Sequence, residues 1–339
     1  MLRLPALFTV PGDALTGAAA MGARPNSRTL LAIGSSLCLY EAGMALNDWA
    51  DREEDAAERP HRPIPSGRIR PGAALAAAGA LTAVGLALAA RAGRPALAVA
   101  APLAATVWAY DLGLKHTPAG PVAMAGARTL DLLLGAAATK GRTREALPSA
   151  ALLGAHTLAV TTVSRDETQG GRPLAPLAAL AATALLTHLT TRPPAGPGEA
   201  ATRGLPGTTP HTAPTPSPST AVTTSVPRPS STPHTTASPR LRLTALSPPS
   251  SPHPTPLPPG TTLRTALALL YASTAGRPYL HATLNPSPPL TQRAVGGGIR
   301  AMIPLQAALS ARSGANLTAL AIAALGPLAA RFAKKVSVT

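Results

Sequence analysis

Three aspartates spaced three and four residues apart carry the strongest chemical signal in this chain. Asp48, Asp51 and Asp55 follow an apolar run from about Thr29 to Leu46, and on a helix this spacing places all three on one face. Converging carboxylates repel one another unless a hard cation neutralises them, and Mg²⁺ with phosphate oxygens is the usual solution. The spacing therefore predicts a site for Mg²⁺ and a diphosphate at the end of a membrane helix.

Basic residues follow the aspartates and suit the remaining phosphate charge. Arg59 and Arg62 lie just beyond the acidic stretch, and a guanidinium makes bidentate contacts with oxyanions. Lys115 opens the loop after the fourth apolar run and has two interpretations. It is either a point-charge contact for phosphate or a residue that anchors a helix end by extending its ammonium into water.

A second acidic site is predicted at the end of the sixth apolar run, in the stretch Ser164-Arg165-Asp166-Glu167. On its own this stretch would be a solvated loop. The two acidic clusters fall on the same side of the membrane, however, so they can face each other across a helix bundle. Each could then hold one Mg²⁺, and both ions could bridge one diphosphate.

Ionisable residues also occur inside apolar runs, where they are costly unless they face the bundle interior. Arg128 and Asp131 form such a pair, either in a substrate cavity or as a clamp between helices. His156 has the same two interpretations, of which a helix-to-helix hydrogen bond is the commoner. The single cysteine, Cys38, excludes a disulfide framework and is predicted to be a small buried apolar residue.

The elements that must position these residues are membrane helices. Of the 339 residues, 45% are hydrophobic and 13% are charged, against roughly 25% charged in soluble domains. Ten apolar runs approach membrane-spanning length, near 5–22, 28–47, 73–91, 95–112, 120–138, 148–164, 174–191, 262–284, 294–312 and 315–333. Pro11, Gly12 and Asp13 interrupt the first run, which favours a retained helix over a signal peptide.

The chain divides into three parts by composition. Residues 1–192 contain seven predicted helices and both acidic motifs, and residues 261–339 contain the helices that complete the bundle. Residues 193–260 are rich in Pro, Thr and Ser, so they cannot bury enough apolar surface to offset the entropy of ordering. They are predicted to form a disordered insertion.

The net charge of +16 does not indicate nucleic-acid binding, because the basic residues are scattered and few aromatics accompany them. Anionic membrane lipid and a diphosphate substrate explain the charge better. The distribution of Lys and Arg between loops leans towards a multi-pass protein of the cell membrane with its active-site loops in the cytoplasm.

The first motif resembles a known family signature. The pattern Asn47-Asp48-x-x-Asp51-x-x-x-Asp55, followed by Arg59-x-x-Arg62-Pro63-Ile64-Pro65-Ser66-Gly67, is similar to the first signature of the UbiA-type membrane prenyltransferase superfamily. Tyr110 with Lys115 resembles that family's loop after the fourth helix, and Asp166 falls where its second acidic motif is expected. The pattern from Gly120-Pro121 through Arg128 to Leu134-Gly135, with Ser164-Arg165, most resembles the EboC-like branch.

The resemblance implies an all-α integral membrane protein in which about nine transmembrane helices surround a central cavity. It also implies that Mg²⁺ holds an isoprenyl diphosphate, whose ionisation yields an allylic carbocation for a lipophilic or aromatic acceptor to capture. The implied metal ligands are Asn47, Asp48, Asp51, Asp55, Asp166 and Glu167. The implied phosphate contacts are Arg59, Arg62 and Lys115. The other candidate substrate-binding residues are Asn47, Tyr110, Arg128 and Arg165. Gly170 stands where the family's second motif commonly has another aspartate, which weakens the case for two metals.

Two other functions remain open from the sequence. A UbiA-like scaffold that binds or transports a lipid or secondary-metabolite precursor without turnover is consistent with the altered second motif. A CDP-alcohol phosphotransferase would also be membrane-bound and rich in aspartate. That class should carry an Asp-Gly-x-x-Ala-Arg run, which this chain lacks.

Overall fold

A computed structural model describes residues 8–167, 172–192 and 259–336, and in these ranges the chain forms eleven α-helices and two short 3₁₀ turns. The helices are α1 (Val10–Ala20), α2 (Ser27–Ala50), α3 (Arg52–Glu58), α4 (Pro71–Ala92), α5 (Arg94–Leu112), α6 (Gly120–Lys140), α7 (Leu147–Ser164), α8 (Leu174–Thr191), α9 (Pro259–Leu284), α10 (Pro288–Arg312) and α11 (Asn316–Val336). The 3₁₀ turns are Leu114–His116 and Arg144–Ala146. The prediction of an all-α bundle is confirmed.

The ten longer helices correspond one to one to the ten apolar runs, and α3 is an additional short helix. Six of the helices in the described ranges, α2 and α4 to α8, are long and apolar enough to cross a membrane by length and composition. The run 262–284, whose continuity the sequence left uncertain, is part of the single helix α9. This helix packs chiefly against α8 and α10.

The two predicted helical parts belong to one compact unit, which includes residues 1–194 and 257–339. The predicted insertion extended to residue 260, but α9 already begins at Pro259. The expectation of disorder concerns residues 193–258, which lie outside the described residues. Cys38 is a half-buried free thiol rather than a fully buried one.

Helix α2, which carries the first motif, begins at a capping box. The side chain of Asn26 accepts hydrogen bonds from the backbone amides of Arg28 and Thr29 at 3.0 and 3.1 Å. The hydroxyl of Thr29 accepts one from the backbone amide of Asn26 at 3.0 Å. These bonds satisfy amide groups that have no partner inside the helix, so the start of α2 is defined by local sequence.

Helices α1 and α6 approach each other closely because glycines stand at their crossing. A Cβ atom on Gly135 would lie 2.3 Å from the Cα of Ala14, and one on Gly17 would lie 2.1 Å from the carbonyl oxygen of Leu132. Small residues are the usual means of bringing membrane helices together. This crossing holds the short helix α1 against the helix that carries Arg128.

We expect Gly135→Ala to lower the free energy of unfolding by about 1–3 kcal/mol, because the added methyl group forces two backbones apart. Thermal unfolding of the purified protein in detergent measures the change. The matched control is Gly126→Ala in the same helix, where an added Cβ meets nothing within 4 Å. Equal unfolding temperatures for the two variants would contradict the proposed crossing.

Candidate active site

Two adjoining cavities lie between α2, α5 and α6, and the smaller one extends to α7 and α10. The larger has a volume of about 700 Å³ and the smaller about 430 Å³. Tyr40, Tyr110 and Met124 are among the residues that line both. Sequence reasoning therefore predicted a central cavity correctly, but its division into two chambers is visible only in the structure.

The larger cavity has a polar end and an apolar wall. Asn47, Asp48, Arg59, His61, Arg62, Arg68 and Asp111 are its polar lining at the end of α2, where the candidate residues were predicted. Leu39, Val107 and Ala127 contribute to the apolar wall. Asp111 had no role assigned from sequence, although it directly follows Tyr110. A cavity with a charged end and an apolar body suits an amphipathic ligand.

The first acidic motif does not lie on one continuous helix. Helix α2 ends at Ala50 and α3 begins at Arg52, with Asp51 between them at φ −86° and ψ 6°. The expected convergence of Asp48, Asp51 and Asp55 on one helical face is therefore not observed. Among the described residues, the acidic and histidine side chains whose ligand atoms lie within 4.8 Å of one another are Asp51, Glu54 and His116.

Asp55 is held by arginines. It is only 2% exposed, and its Oδ2 accepts a hydrogen bond from Nη1 of Arg62 at 2.6 Å. Nη1 of Arg59 lies 3.6 Å from its Oδ1. These ion pairs hold the loop after α3, which contains both arginines, against the first acidic motif. Asp55 therefore positions the arginines, whereas the sequence predicted it to be a metal ligand.

Asp51 connects the first motif to the loop after α5. One carboxylate oxygen pairs with Nζ of Lys115, and the other accepts a hydrogen bond from Nδ2 of Asn47 at 2.9 Å. The side chain of Lys115 is only 10% exposed, so it points into the protein and does not extend into water. This position argues against the interpretation in which the ammonium of Lys115 extends into water. Its contact with phosphate stays a prediction, and Lys115 lines neither cavity.

Of the three aspartates in the first motif, Asp48 is the one that lines the larger cavity. Its side chain is 28% exposed, and its ion-pair partner among the described residues is Arg62, whose Nη1 lies 3.9 Å from Oδ1. This separation is longer than a hydrogen bond. Hard carboxylate oxygens next to a cavity are the ligands that Mg²⁺ prefers, so the residues present fit this ion.

The second acidic motif reaches the smaller cavity through Glu167. Ser164 and Glu167 line that cavity, whereas Asp166 lines neither of the two cavities. Nη1 of Arg165 donates a hydrogen bond to the backbone carbonyl of Thr117 at 2.5 Å, which fastens the end of α7 to the loop after α5. The sequence preferred Asp166 as the second metal ligand, but Glu167 is the one of the two beside the cavity. Gly170 lies outside the described residues.

A buried ionic network joins α1, α6 and α10 beside the smaller cavity. Nη1 of Arg128 lies 2.6 Å from Oδ2 of Asp13 and 3.9 Å from Oδ2 of Asp131. Nε2 of Gln306 donates to Oδ1 of Asp13 at 2.6 Å, and the hydroxyl of Ser36 donates to Asp131. These contacts support the interpretation of Arg128 as a clamp between helices. Arg128 also lines the smaller cavity, and its role towards a substrate stays a prediction.

Sequence reasoning missed Asp13 as part of this network. It used Asp13 only as a helix-interrupting residue in the first apolar run. The available signal was an acidic side chain within that run, which by itself marks a residue that faces the bundle interior. Its partners could not be read from the chain, because Arg128 is 115 residues away.

The interpretation of His156 as a link between helices is supported. Its Nε2 lies 3.0 Å from the carbonyl oxygen of Gly298 and its Nδ1 lies 3.1 Å from the hydroxyl of Tyr271. Because a carbonyl only accepts, Nε2 carries the proton and Nδ1 accepts from the tyrosine. The side chain joins α7 to α9 and α10 and lines neither cavity.

A sequence profile of the UbiA prenyltransferase family matches residues 7–193, which is more than half of the chain. The chain belongs to the UbiA prenyltransferase family. The matched range includes the first motif, Asp166 and Glu167 of the second motif, and the three arginines that line the larger cavity. Membership, together with the apolar helices, makes this a multi-pass membrane protein.

Archaeal digeranylgeranylglyceryl phosphate synthases are similar in sequence to part of the chain. The one from Methanopyrus kandleri is 38% identical over 115 residues, which cover 34% of this chain and 41% of that protein. The one from Methanothrix thermoacetophila is 40% identical over 124 residues, which cover 35% of this chain and 46% of that protein. The alignments thus span less than half the length of these relatives.

Two solved structures share the fold. A structure of digeranylgeranylglyceryl phosphate synthase gives a TM-score of 0.55 at 14% identity and covers 91% of this chain and 94% of its own. A UbiA homologue from Aeropyrum pernix gives a TM-score of 0.52 at 17% identity and covers 88% of this chain and 98% of its own. At this identity the likeness establishes the fold.

The assignment to an EboC-like branch was wrong, because the relatives that match are digeranylgeranylglyceryl phosphate synthases. Two glycines of the pattern that suggested this branch have a role in packing. A Cβ on Gly120 would lie 3.0 Å from the carbonyl oxygens of Leu114 and Lys115, and Gly135 stands at the crossing with α1. These glycines meet the needs of helix packing, so they do not identify a branch.

Proposed function

We propose that this protein is a Mg²⁺-dependent membrane prenyltransferase that moves an isoprenyl group from its diphosphate to a lipophilic acceptor. The observation that supports this function best is the larger cavity. Asp48, Arg59 and Arg62 line its polar end, and an apolar wall continues from them. A diphosphate attached to a hydrocarbon chain has the matching distribution of charge and apolar surface.

The diphosphate end is assigned to the end of α2. Asp48 and Asp51 are the residues proposed to hold Mg²⁺, with Glu167 as the candidate across the smaller cavity. The chemistry that Mg²⁺ supplies when bound is neutralisation of the charge on the leaving diphosphate. Arg59 and Arg62 contribute further positive charge to the phosphate oxygens. Asp55 keeps these guanidinium groups in place before the substrate arrives.

The isoprenyl chain is assigned to the apolar wall, where the cavity lining excludes water from the reacting carbon. The bond between the allylic carbon and the diphosphate oxygen breaks, and the electron pair leaves with the diphosphate. The acceptor then attacks the cationic carbon and loses its proton. Tyr40 and Tyr110 line both cavities, so an aromatic ring face from either one can stabilise the developing cation.

The acceptor is assigned to the smaller cavity. The relatives are named for a glyceryl phosphate that carries two geranylgeranyl groups, so a glyceryl phosphate lipid is the first candidate and an aromatic compound the second. Arg128 lines this cavity and supplies a positive charge near such an acceptor. We assign the active-site loops to the cytoplasmic side, because the distribution of Lys and Arg between the loops leans that way.

The test uses the purified full chain with Mg²⁺ and prenyl diphosphates of several lengths, each with a glyceryl phosphate lipid or an aromatic acid as acceptor. We expect pyrophosphate release that requires an acceptor and stops when EDTA removes the metal. Binding of the prenyl diphosphate without release under any of these conditions would favour the non-catalytic scaffold. Membership of the UbiA family argues against the phosphotransferase alternative.

A further inference from the structure

Two arginines converge at the end of the bundle that lies away from the candidate active site. Arg312 ends α10 and Arg264 lies in the second turn of α9. Leu263, Leu267 and Ala311 belong to one apolar cluster with residues of α11, so the neighbouring arginines lie at the junction of the three helices. The two guanidinium groups are close enough for Arg264 to repel the charge of Arg312.

This end of α10 faces the opposite membrane side from the first motif. The hydroxyl of Ser310 lies 3.3 Å from that of Thr16 in the second half of α1. Helix α1 leads into the start of α2, whereas the candidate active site lies at the end of α2. The arginine pair is therefore separated from that site by the length of a membrane helix.

No carboxylate neutralises the pair within the described part of the chain. Neither guanidinium makes an ion pair or a side-chain hydrogen bond to a described residue, and the Nε atoms of both are shielded from solvent without a partner. Oδ1 of Asn316 at the start of α11 is likewise shielded and unpartnered. Outside the described ranges the sequence contains one acidic residue, Glu199.

Two half-buried like charges without a counter-charge are unfavourable, since each is partly removed from water and repels the other. An oxyanion between them would remove both costs, because guanidinium groups bind phosphate through paired hydrogen bonds. No carboxylate of the described residues occupies this position, which leaves it available to an anion from outside the protein.

The surroundings of the pair are those of a membrane interface. Leu317, next to Asn316, is 83% exposed, and Leu320 on the following turn is also exposed. Leu269 and Leu270 on α9 are exposed as well. Exposed leucines on membrane helices are accommodated by acyl chains. A phosphate held at the arginines would therefore have apolar helix surface beside it for attached chains.

We propose that Arg264 and Arg312 form a binding site for a phosphate oxyanion, and that its occupant is the headgroup of an anionic phospholipid in the leaflet opposite the candidate active site. The lipid phosphate lies between the two guanidinium groups. Its acyl chains lie along α9 and α11. The site is independent of catalysis, and it stabilises the junction of the last three helices by supplying the negative charge that no described residue supplies.

The test compares two double variants of the full chain in neutral detergent. Arg264→Gln/Arg312→Gln removes the proposed site, and Arg91→Gln/Arg94→Gln removes the same charge from two exposed arginines, one in the last turn of α4 and one at the start of α5. Each protein is titrated with phosphatidylglycerol, phosphatidylcholine or inorganic phosphate, and the midpoint of thermal unfolding is followed. The titration yields an apparent affinity for each ligand.

Phosphatidylglycerol is expected to raise the unfolding midpoint of the wild type, with an affinity about tenfold lower in Arg264→Gln/Arg312→Gln and nearly unchanged in the control variant. Without lipid, Arg264→Gln/Arg312→Gln is expected to unfold at or above the wild-type midpoint, because one repulsive pair is gone. Equal phosphatidylglycerol affinity in the two variants overturns the proposal, as does a wild-type response to phosphatidylcholine of the same size. An equal response to inorganic phosphate alone overturns the lipid as occupant.

Discussion

Replacing Asp48 or Asp51 with asparagine is expected to reduce diphosphate release by roughly a hundredfold to a thousandfold, while the protein still inserts and folds. Asp48 faces the larger cavity, and Asp51 is its neighbour at the break between α2 and α3. Loss of either negative charge weakens the hold on Mg²⁺ and thereby the neutralisation of the leaving group. Steady-state release of pyrophosphate measures the rate, and thermal unfolding verifies the fold.

The matched control is Glu53→Gln in α3. Glu53 is 86% exposed at its side chain and pairs with Arg52 at the surface, so its neutralisation should change the release rate less than about twofold. If Asp48→Asn and Asp51→Asn both retained the rate of Glu53→Gln, the assignment of the metal to this end of α2 would be wrong.

Asp55→Asn should behave differently from Asp48→Asn. Because Asp55 holds Arg59 and Arg62, its loss leaves two guanidinium groups without their buried partner. The same comparison of rate and unfolding temperature therefore separates Asp48, whose loss is expected to affect the rate alone, from Asp55, whose loss is expected to affect both. Asp51→Asn also removes the partner of the largely buried Lys115, so it is expected to lower the unfolding temperature as well.

Arg128→Met is expected to lower the free energy of unfolding by about 3–5 kcal/mol, the largest effect on stability that we foresee. The substitution has a similar volume but leaves the carboxylates of Asp13 and Asp131 without their cation in the interior of the bundle. Titration with a denaturing detergent measures the loss. The variant Arg128→Met/Asp13→Asn should recover part of it, because one of the two uncompensated charges is removed.

The control for this prediction is Arg142→Met. Arg142 also has an acidic partner at i+3, Glu145 at 3.1 Å, but both side chains are largely exposed, and an exposed ion pair contributes about 0–1 kcal/mol. Similar losses for Arg128→Met and Arg142→Met would show that the network around Asp13 is not buried as described. Additive losses in the double variant would show that Asp13 and Arg128 do not interact.

The sequence by itself determined the helices, the family and the end of the bundle at which chemistry is expected. Runs of apolar residues and the residues that cap them act within one segment of the chain. The ten longer helices could therefore be predicted without knowing which helices they pack against. The acidic and basic residues of the first motif lie within 16 residues, from Asn47 to Arg62, and they could be recognised as a group for the same reason.

Only the tertiary structure decided which of these residues faces the cavity. The break at Asp51 separates carboxylates that one helix would have aligned, and Asp55 pairs with Arg59 and Arg62. Lys115 meets Asp51 across 64 residues, and Arg128 meets Asp13 across 115. Such pairings depend on how distant helices pack and on the cost of leaving a buried charge unpaired. No spacing within one segment contains that information.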